Sequence, residues 1–86
     1  MTTPTACRIA CDFNKRTDDD TYSLETVGSR ADLARLRVVV TEGMALQLVD
    51  DEGDGTLLVA DAVVVATPLG WAARVVHGTW RHEAKT

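Results

Sequence analysis

The sequence lacks the features that most directly indicate a membrane, secreted or nucleotide-binding protein. Its longest apolar stretches, such as ADAVVVAT, fall far short of the roughly 20 residues that a membrane span needs. The opening segment MTTPTACRIACDF has no basic region followed by an apolar core, so we expect no secretion signal and a cytoplasmic location. None of the glycines has the spacing of a phosphate-binding loop.

Basic residues are missing from the central part of the chain. No Lys or Arg occurs between Arg37 and Arg74. Six acidic residues lie in that block: Glu42, Asp50, Asp51, Glu52, Asp54 and Asp61. A nucleic-acid binder needs cations that replace the counterions of phosphate, and this block would repel phosphate instead. We therefore expect neither a nucleic-acid nor a membrane partner.

The composition that remains is that of one small globular domain. The 86 residues are 45% hydrophobic and 26% charged, with a net charge of −4. A chain of this length buries only about 60–65% of its unfolded surface, so a partner would add appreciably to its stability. We expect a single domain over residues 1–86, with residues 1–6 and 83–86 frayed. Seven Arg against two Lys, with many Ala and Val, indicate a GC-rich genome, and we expect a small bacterial-type protein.

Two short segments near the start have strand character. In CRIACDF, Cys7, Ile9 and Cys11 share one side, and in TYSLETV apolar residues alternate with polar ones. The charged segment NKRTDDD between them is typical of a loop. We predict that the two strands pair as a hairpin.

The segment GSRADLARLR carries the helical signal. Ser29 with Asp32 three residues later matches a capping box, and Leu33 and Leu36 then share one face. We predict one short helix near residues 30–36. It is too short to be stable alone, so it must dock through its leucines.

From residue 38 onward the pattern changes to β structure. RLRVVVT is rich in β-branched residues, MALQLVD alternates, and TLLVADAVVVAT and WAARVVHGTW follow at short spacing. Short strands joined by tight turns favour antiparallel pairing. The predicted fold is mainly β, or α+β by strict count: a small antiparallel meander, either an SH3-like barrel or an open sheet, with the one helix.

The acidic stretch DDEGDGTLLVAD has two interpretations. Asp50, Glu52, Asp54 and Asp61 occupy positions 1, 3, 5 and 12 of a calcium loop, and Gly55 occupies position 6. However, the valines that follow indicate a strand where that motif needs a helix. Two glycines and several carboxylates between apolar segments are also typical of a hairpin turn. We favour the turn and retain calcium binding as the alternative.

Cysteine and histidine provide the other candidates for chemistry. Cys7 and Cys11 with His77 and His82 are ligand types that zinc accepts. An extended strand would place the two cysteines about 13 Å apart, which argues against a shared ion. Cys11 and His77 with one of Asp18, Asp19 or Asp20 are residue types that could form a nucleophilic site, but no local motif supports them. We expect no cofactor and reduced thiols.

The last third of the chain carries the most informative side chains for a partner. Trp71, Arg74, Trp80 and Arg81 are of the types enriched in binding hot spots. From Leu57 to Ala66 both faces of the predicted strand are apolar, apart from Asp61. Either the helix and N-terminal segment cover the second face, or another chain does. We therefore predict a non-catalytic protein-interaction or regulatory module that binds a protein or forms a homodimer. A metal-binding domain and a small enzyme subunit are the alternatives.

Overall fold

Seven strands and one helix are found in the computed structural model, which describes residues 7–13, 16–18 and 20–84. In chain order they are β1 (Arg8–Ala10), β2 (Arg16–Asp18), β3 (Thr21–Ser23), α1 (Val27–Leu36), β4 (Ala45–Asp51), β5 (Thr56–Thr67), β6 (Gly70–Val75) and β7 (Arg81–Ala84). The strands form one sheet in the order β1-β4-β5-β6-β3-β2, and β7 pairs with β5. The mainly β fold class is confirmed. Of its two predicted architectures the open sheet is found, because the sheet does not close into a barrel.

The first strand does not pair as the sequence suggested. β1 runs parallel to β4, with Ile9 opposite Leu48, whereas β3 pairs antiparallel with β6 and β2. The predicted hairpin between CRIACDF and TYSLETV is therefore wrong. The alternation in β1 is retained, since Ile9 and Cys11 are buried and Cys7 packs against the same core. The pattern specified which side of the strand is buried but not its neighbour in the sheet.

The acidic stretch forms the turn of the β4–β5 hairpin. The Glu52 amide donates to the Thr56 carbonyl over 3.1 Å, and Gly53 and Gly55 both have positive φ. The Asp54 carboxylate accepts hydrogen bonds from the amide and the hydroxyl of Thr56, and the hydroxyl is the main cause that lowers the pKa of Asp54 below 3.8. Glycine supplies the backbone conformation here and aspartate the local hydrogen bonds, as the turn interpretation requires.

β6 and β7 lie along the same edge of β5 and are separated by a short insertion. Ala62 pairs with Val75, and Val59 pairs with Arg81. The chain between Val75 and Arg81 is therefore longer than the chain between Val59 and Ala62 on β5. Thr79 fills this interruption, because its hydroxyl accepts from the Asp61 amide over 3.1 Å. The residues 83–84, which the sequence placed in a frayed end, belong to β7. The remaining residues of the predicted frayed ends, 1–6 and 85–86, lie outside the described part of the chain.

The cap of helix α1 lies three residues before the predicted cap, Ser29. Thr26 is the N-cap, and its side chain accepts from the Ser29 amide over 3.2 Å. Ser29 and Asp32 bind the outer edge of β1 instead: the Ser29 hydroxyl donates to the Ala10 carbonyl, and the Ala10 amide donates to Asp32 over 2.8 Å. The two residues that resembled a capping box therefore dock the helix and cover an exposed strand edge.

The valines after α1 do not form a strand. Arg37 adopts the left-handed conformation, its amide donates to Ala34, and the Val38 amide donates to Leu33. This pair of hydrogen bonds is the helix-terminating Schellman arrangement, which usually uses glycine. The predicted strand RLRVVVT is therefore wrong, and Val39 is 83% exposed.

Within the described residues, no helix has the length and apolar character needed to cross a membrane.

The core lies on one face of the sheet. It consists of side chains from most strands: Ile9, Cys11, Tyr22, Leu24, Leu46, Leu48, Ala60, Ala62, Val64, Ala73 and Val75. Leu33 of α1 packs against this cluster, whereas Leu36 is 39% exposed. Of the two leucines predicted to dock the helix, Leu33 therefore does so.

Candidate functional site

The face of the sheet opposite the core is here called the outer face. Side chains alternate along a strand, and residues paired across strands share a face. Because Ala60, Ala62 and Val64 enter the core, the residues between them along β5 point outward. The outer face therefore contains both apolar and charged residues: Gln47, Val59, Asp61, Val63, Val65, Arg74 and Arg81.

One half of the outer face carries a closed polar ring of five side chains. Arg8 forms a two-pronged ion pair with Glu83, at 2.8 and 2.9 Å, and its Nε donates to Gln47 over 2.9 Å. Gln47 donates to Asp61 over 3.3 Å. Arg81 closes the ring, with 3.3 Å contacts to Asp61 and to Glu83. The ring joins the first described strand to the last.

The polar ring explains how an outward-facing valine becomes buried. Val59 lies between Val49 and Arg81 in the sheet and has no exposed surface. The Arg8–Glu83 ion pair passes over β4 and β5, a distance of about 14 Å at the usual strand spacing. We attribute the burial of Val59 to the apolar stems of these long side chains, whose charged ends remain in water.

Replacing Glu83 by glutamine should change the pH dependence of stability. The hydrogen bond from Arg8 is the main cause that holds the pKa of Glu83 below its ordinary value of 4.5. A folded-state pKa below the unfolded one stabilises the fold above about pH 4.5. That contribution is lost as the pH falls through the folded-state pKa. Glu83→Gln should therefore be less stable than the parent near neutral pH, with a difference that shrinks on acidification.

Urea denaturation at a series of pH values measures this difference. Glu42→Gln is the matched control, because it removes the same charge from an exposed loop residue outside the ring. It should unfold like the parent at every pH. A Glu83→Gln difference that stays constant from neutral to acidic pH would contradict the assigned ion pair.

The other half of the outer face opens into a groove beside the β5–β6 turn. This outer groove has a volume of about 360 Å³ and is lined chiefly by Thr21, Val65, Pro68, Leu69 and Arg74. Val65 is half-buried, and Leu69 at the tip of the hairpin is 83% exposed. A large apolar side chain is thus presented to solvent next to a preformed cavity.

Hydrogen bonds fix the hairpin that carries Leu69. The Leu69 amide donates to the Thr67 hydroxyl over 3.1 Å, and that hydroxyl donates to the Gly70 carbonyl over 2.8 Å. Gly70 has φ of 113°, and the next amide, that of Trp71, donates to the Glu25 carboxylate over 3.2 Å. The turn is therefore held to the body of the domain.

A second cavity, of about 600 Å³, lies between α1 and the end of β1. Its charged lining residues, Asp12, Glu25 and Asp50, already have partners in the fold. Glu25 pairs with Arg30 over 2.9 Å, and Asp50 accepts from the Phe13 amide over 3.3 Å. This cavity is wide and acidic, and its charges are committed to the domain itself.

The structure separates the four predicted partner-binding residues. Arg74 lines the outer groove, and Arg81 belongs to the polar ring. Trp71 packs against the core. Trp80 packs edge-on to Phe13, with ring centres 4.7 Å apart, and remains 38% exposed. Only Arg74 of the four borders the outer groove, and partner binding by all four stays a prediction.

The carboxylates of the proposed calcium loop are dispersed. Asp61 lies in the polar ring, Asp54 binds Thr56, and Asp50 accepts from a main-chain amide. The segment after the turn is strand β5, where a calcium loop would continue as a helix. In the described part of the chain, no three metal-binding side chains of the His, Cys, Asp and Glu types come together.

The thiol and imidazole candidates also lie in different surroundings. Cys11 is buried, and burial is the main cause that raises the pKa of its thiol from 9.0 to about 12, with smaller contributions from Asp50 and Asp12. His77 and His82 are exposed, and the nearest acid to His82 is Glu52 at 4.0 Å. A thiol with this pKa stays protonated at neutral pH and is a poor nucleophile or metal ligand.

The residue that sequence reasoning missed is Leu69. Its signal was a large apolar side chain in the turn T-P-L-G, where turns between strands usually carry polar residues. Val65 and Arg74 flank it only because the hairpin folds back.

Comparisons of the chain with models of protein families, with curated proteins and with solved structures found no match.

Proposed function

We propose that this chain is a non-catalytic interaction module that binds a partner protein through the outer groove. The observation that carries the proposal is the exposure of Leu69 beside a cavity with the apolar wall of Val65. The polar ring covers the other half of the same face, so the apolar surface is confined to one region. Apolar patches with a polar rim are typical of protein-binding surfaces.

The elements that line the groove are held in place, which favours binding of a partner over closure of the groove. Val65 belongs to β5, the central strand, and the turn is held by the Thr67 hydrogen bonds. A preformed site on strands costs little ordering when a partner binds. The partner is a protein, because the acid-rich central block disfavours phosphate surfaces.

The buried state of Cys11 supports a non-catalytic role. A nucleophilic thiol needs a lowered pKa and access to substrate. The pKa of Cys11 is raised instead, and its side chain is only 6% exposed. The chemistry of the best nucleophile candidate is therefore suppressed by the fold.

Replacing Leu69 by aspartate should abolish partner binding without unfolding the domain. The side chain is solvent-exposed in the native state, so the expected change in unfolding free energy is within about 0.5 kcal/mol. At an interface, an unpaired buried carboxylate is strongly unfavourable. We expect recovery of the partner in affinity capture with mass spectrometry to fall at least about tenfold, a loss of ~1.4 kcal/mol.

The matched control is Val39→Asp. Val39 is also 83% exposed but lies in the loop after α1, outside the groove. The same protein should be captured by the parent and by Val39→Asp, and lost with Leu69→Asp. Equal recovery of that protein with both variants would remove the groove as the binding site.

A further inference from the structure

Resting on the proposed function, we infer that the outer groove recognises an extended peptide segment with a large apolar residue two positions from an Asp or Glu. The apolar side chain occupies the cavity beside Val65 and Leu69. The carboxylate binds the guanidinium of Arg74. The segment belongs to the partner protein.

Arg74 differs from most of the described arginines, which are paired with acids of the domain. Four others whose side chains are described form ion pairs with acids of the domain: Arg8, Arg30, Arg35 and Arg81. Arg74 is exposed, and no described acid lies within ion-pair distance of it. Of the described residues that line the outer groove, it alone carries a charge. An arginine in this setting presents its planar fork of donors to a carboxylate from another molecule.

The volume of the groove limits what enters it. Ligand pockets range from about 300 to 1,000 Å³. At about 360 Å³ the outer groove is at the lower end of that range. It therefore suits one large apolar side chain rather than a helix or a whole loop.

The sheet register sets the spacing between the two recognised groups. Val65 pairs with Ala72 and Val63 pairs with Arg74, so the two pairs are two residues apart along the strands. Two residues of a strand cover about 6.7 Å, and side chains two apart point the same way. An extended segment with its acid two positions from its apolar residue matches this separation.

A library of random linear peptides displayed on phage tests the inference, with the full chain as the target. Enriched peptides should share a large apolar residue and an Asp or Glu two positions away. Each enriched peptide is then synthesised with its acid and with the corresponding amide, and binding is measured by fluorescence anisotropy. We expect the amide version to bind roughly tenfold more weakly.

Arg74→Gln supplies the complementary change. It should weaken binding of the acidic peptide roughly tenfold and leave binding of the amide peptide nearly unchanged. The reason is that Arg74→Gln and the acid-to-amide change in the peptide remove the same contact. Arg37→Gln is the charge-matched control, since Arg37 is exposed and lies outside the groove. It should leave both peptides unaffected, and Leu69→Asp should abolish binding of both.

The outcomes separate this inference from the proposed function. If Leu69→Asp abolishes binding but Arg74→Gln and the amide peptide have no effect, acid recognition is wrong and the groove remains. If no peptide is enriched, the peptide inference fails, and capture of the partner protein with Leu69→Asp decides the proposed function separately. If Leu69→Asp binds the enriched peptides normally, both fail. If light scattering shows a dimer that Leu69→Asp dissociates, a second copy of this chain occupies the groove and the inference is overturned.

Discussion

Leu48→Ala should lower the free energy of unfolding by about 3 kcal/mol. Leu48 is fully buried in the middle of β4, opposite Ile9 of β1 and Ala60 of β5. Truncation to alanine removes buried methyl groups and leaves a cavity between three strands that share hydrogen bonds. Since these backbones are fixed by the sheet, the cavity cannot collapse fully. Urea denaturation followed by circular dichroism measures the loss.

Leu69→Ala is the control for the same chemical change. Leu69 is 83% exposed, so its truncation should cost less than about 0.5 kcal/mol. The two variants together test whether the core and outer faces are assigned correctly. Similar losses for Leu48→Ala and Leu69→Ala would contradict the assignment of the two faces of the sheet.

Gly70→Ala should destabilise the domain by about 2–3 kcal/mol. Gly70 has φ of 113°, a conformation that residues with a side chain rarely adopt. An added Cβ would lie 2.9 Å from Cγ of Glu25. Glu25 cannot move away freely, because it accepts from the Trp71 amide and pairs with Arg30. Thermal or urea unfolding measures this decrease in the free energy of unfolding.

Gly53→Ala separates backbone strain from the steric clash. Gly53 also has positive φ, at 81°, but an added Cβ there meets no atom within 4 Å. We expect a cost of about 1 kcal/mol from the backbone alone. If Gly70→Ala proved as mild as Gly53→Ala, the contact between Gly70 and Glu25 would be assigned wrongly.

The β4–β5 hairpin could be predicted because its signals are local. Alternation places Leu46 and Leu48 in the core, and Gly53 and Gly55 supply the turn between the strands. The partner of β1 could not be predicted in this way. Ile9 lies opposite Leu48, and no local pattern states which distant apolar strand a short segment joins.

The end of the helix was missed for a different reason. Arg37 ends α1 in the left-handed conformation, where the sequence signal is usually glycine. With no glycine there, the β propensity of the three valines decided the prediction. Tertiary contacts override that propensity, since Val40 packs against the core without belonging to a strand.

The candidate site was predicted only in part. Arg74 was identified from residue type, but its role depends on the hairpin that brings Leu69 and Val65 beside it. The second face of β5 was expected to need a cover from the helix, the N-terminal segment or another chain. We attribute part of that cover to the Arg8–Glu83 ion pair of the polar ring. This ion pair joins residues far apart in sequence, so its formation depends on the complete sheet.

A two-dimensional ¹⁵N–¹H NMR titration of the labelled chain with an enriched acidic peptide locates the binding site. If the outer groove is the binding site, the largest chemical-shift changes will occur at the amides of Thr21, Val65, Leu69 and Arg74. The amides of the polar ring and of α1 will change little. Chemical-shift changes concentrated in α1 or in β7, with the amides of the β5–β6 hairpin unchanged, would rule out the outer groove as the binding site.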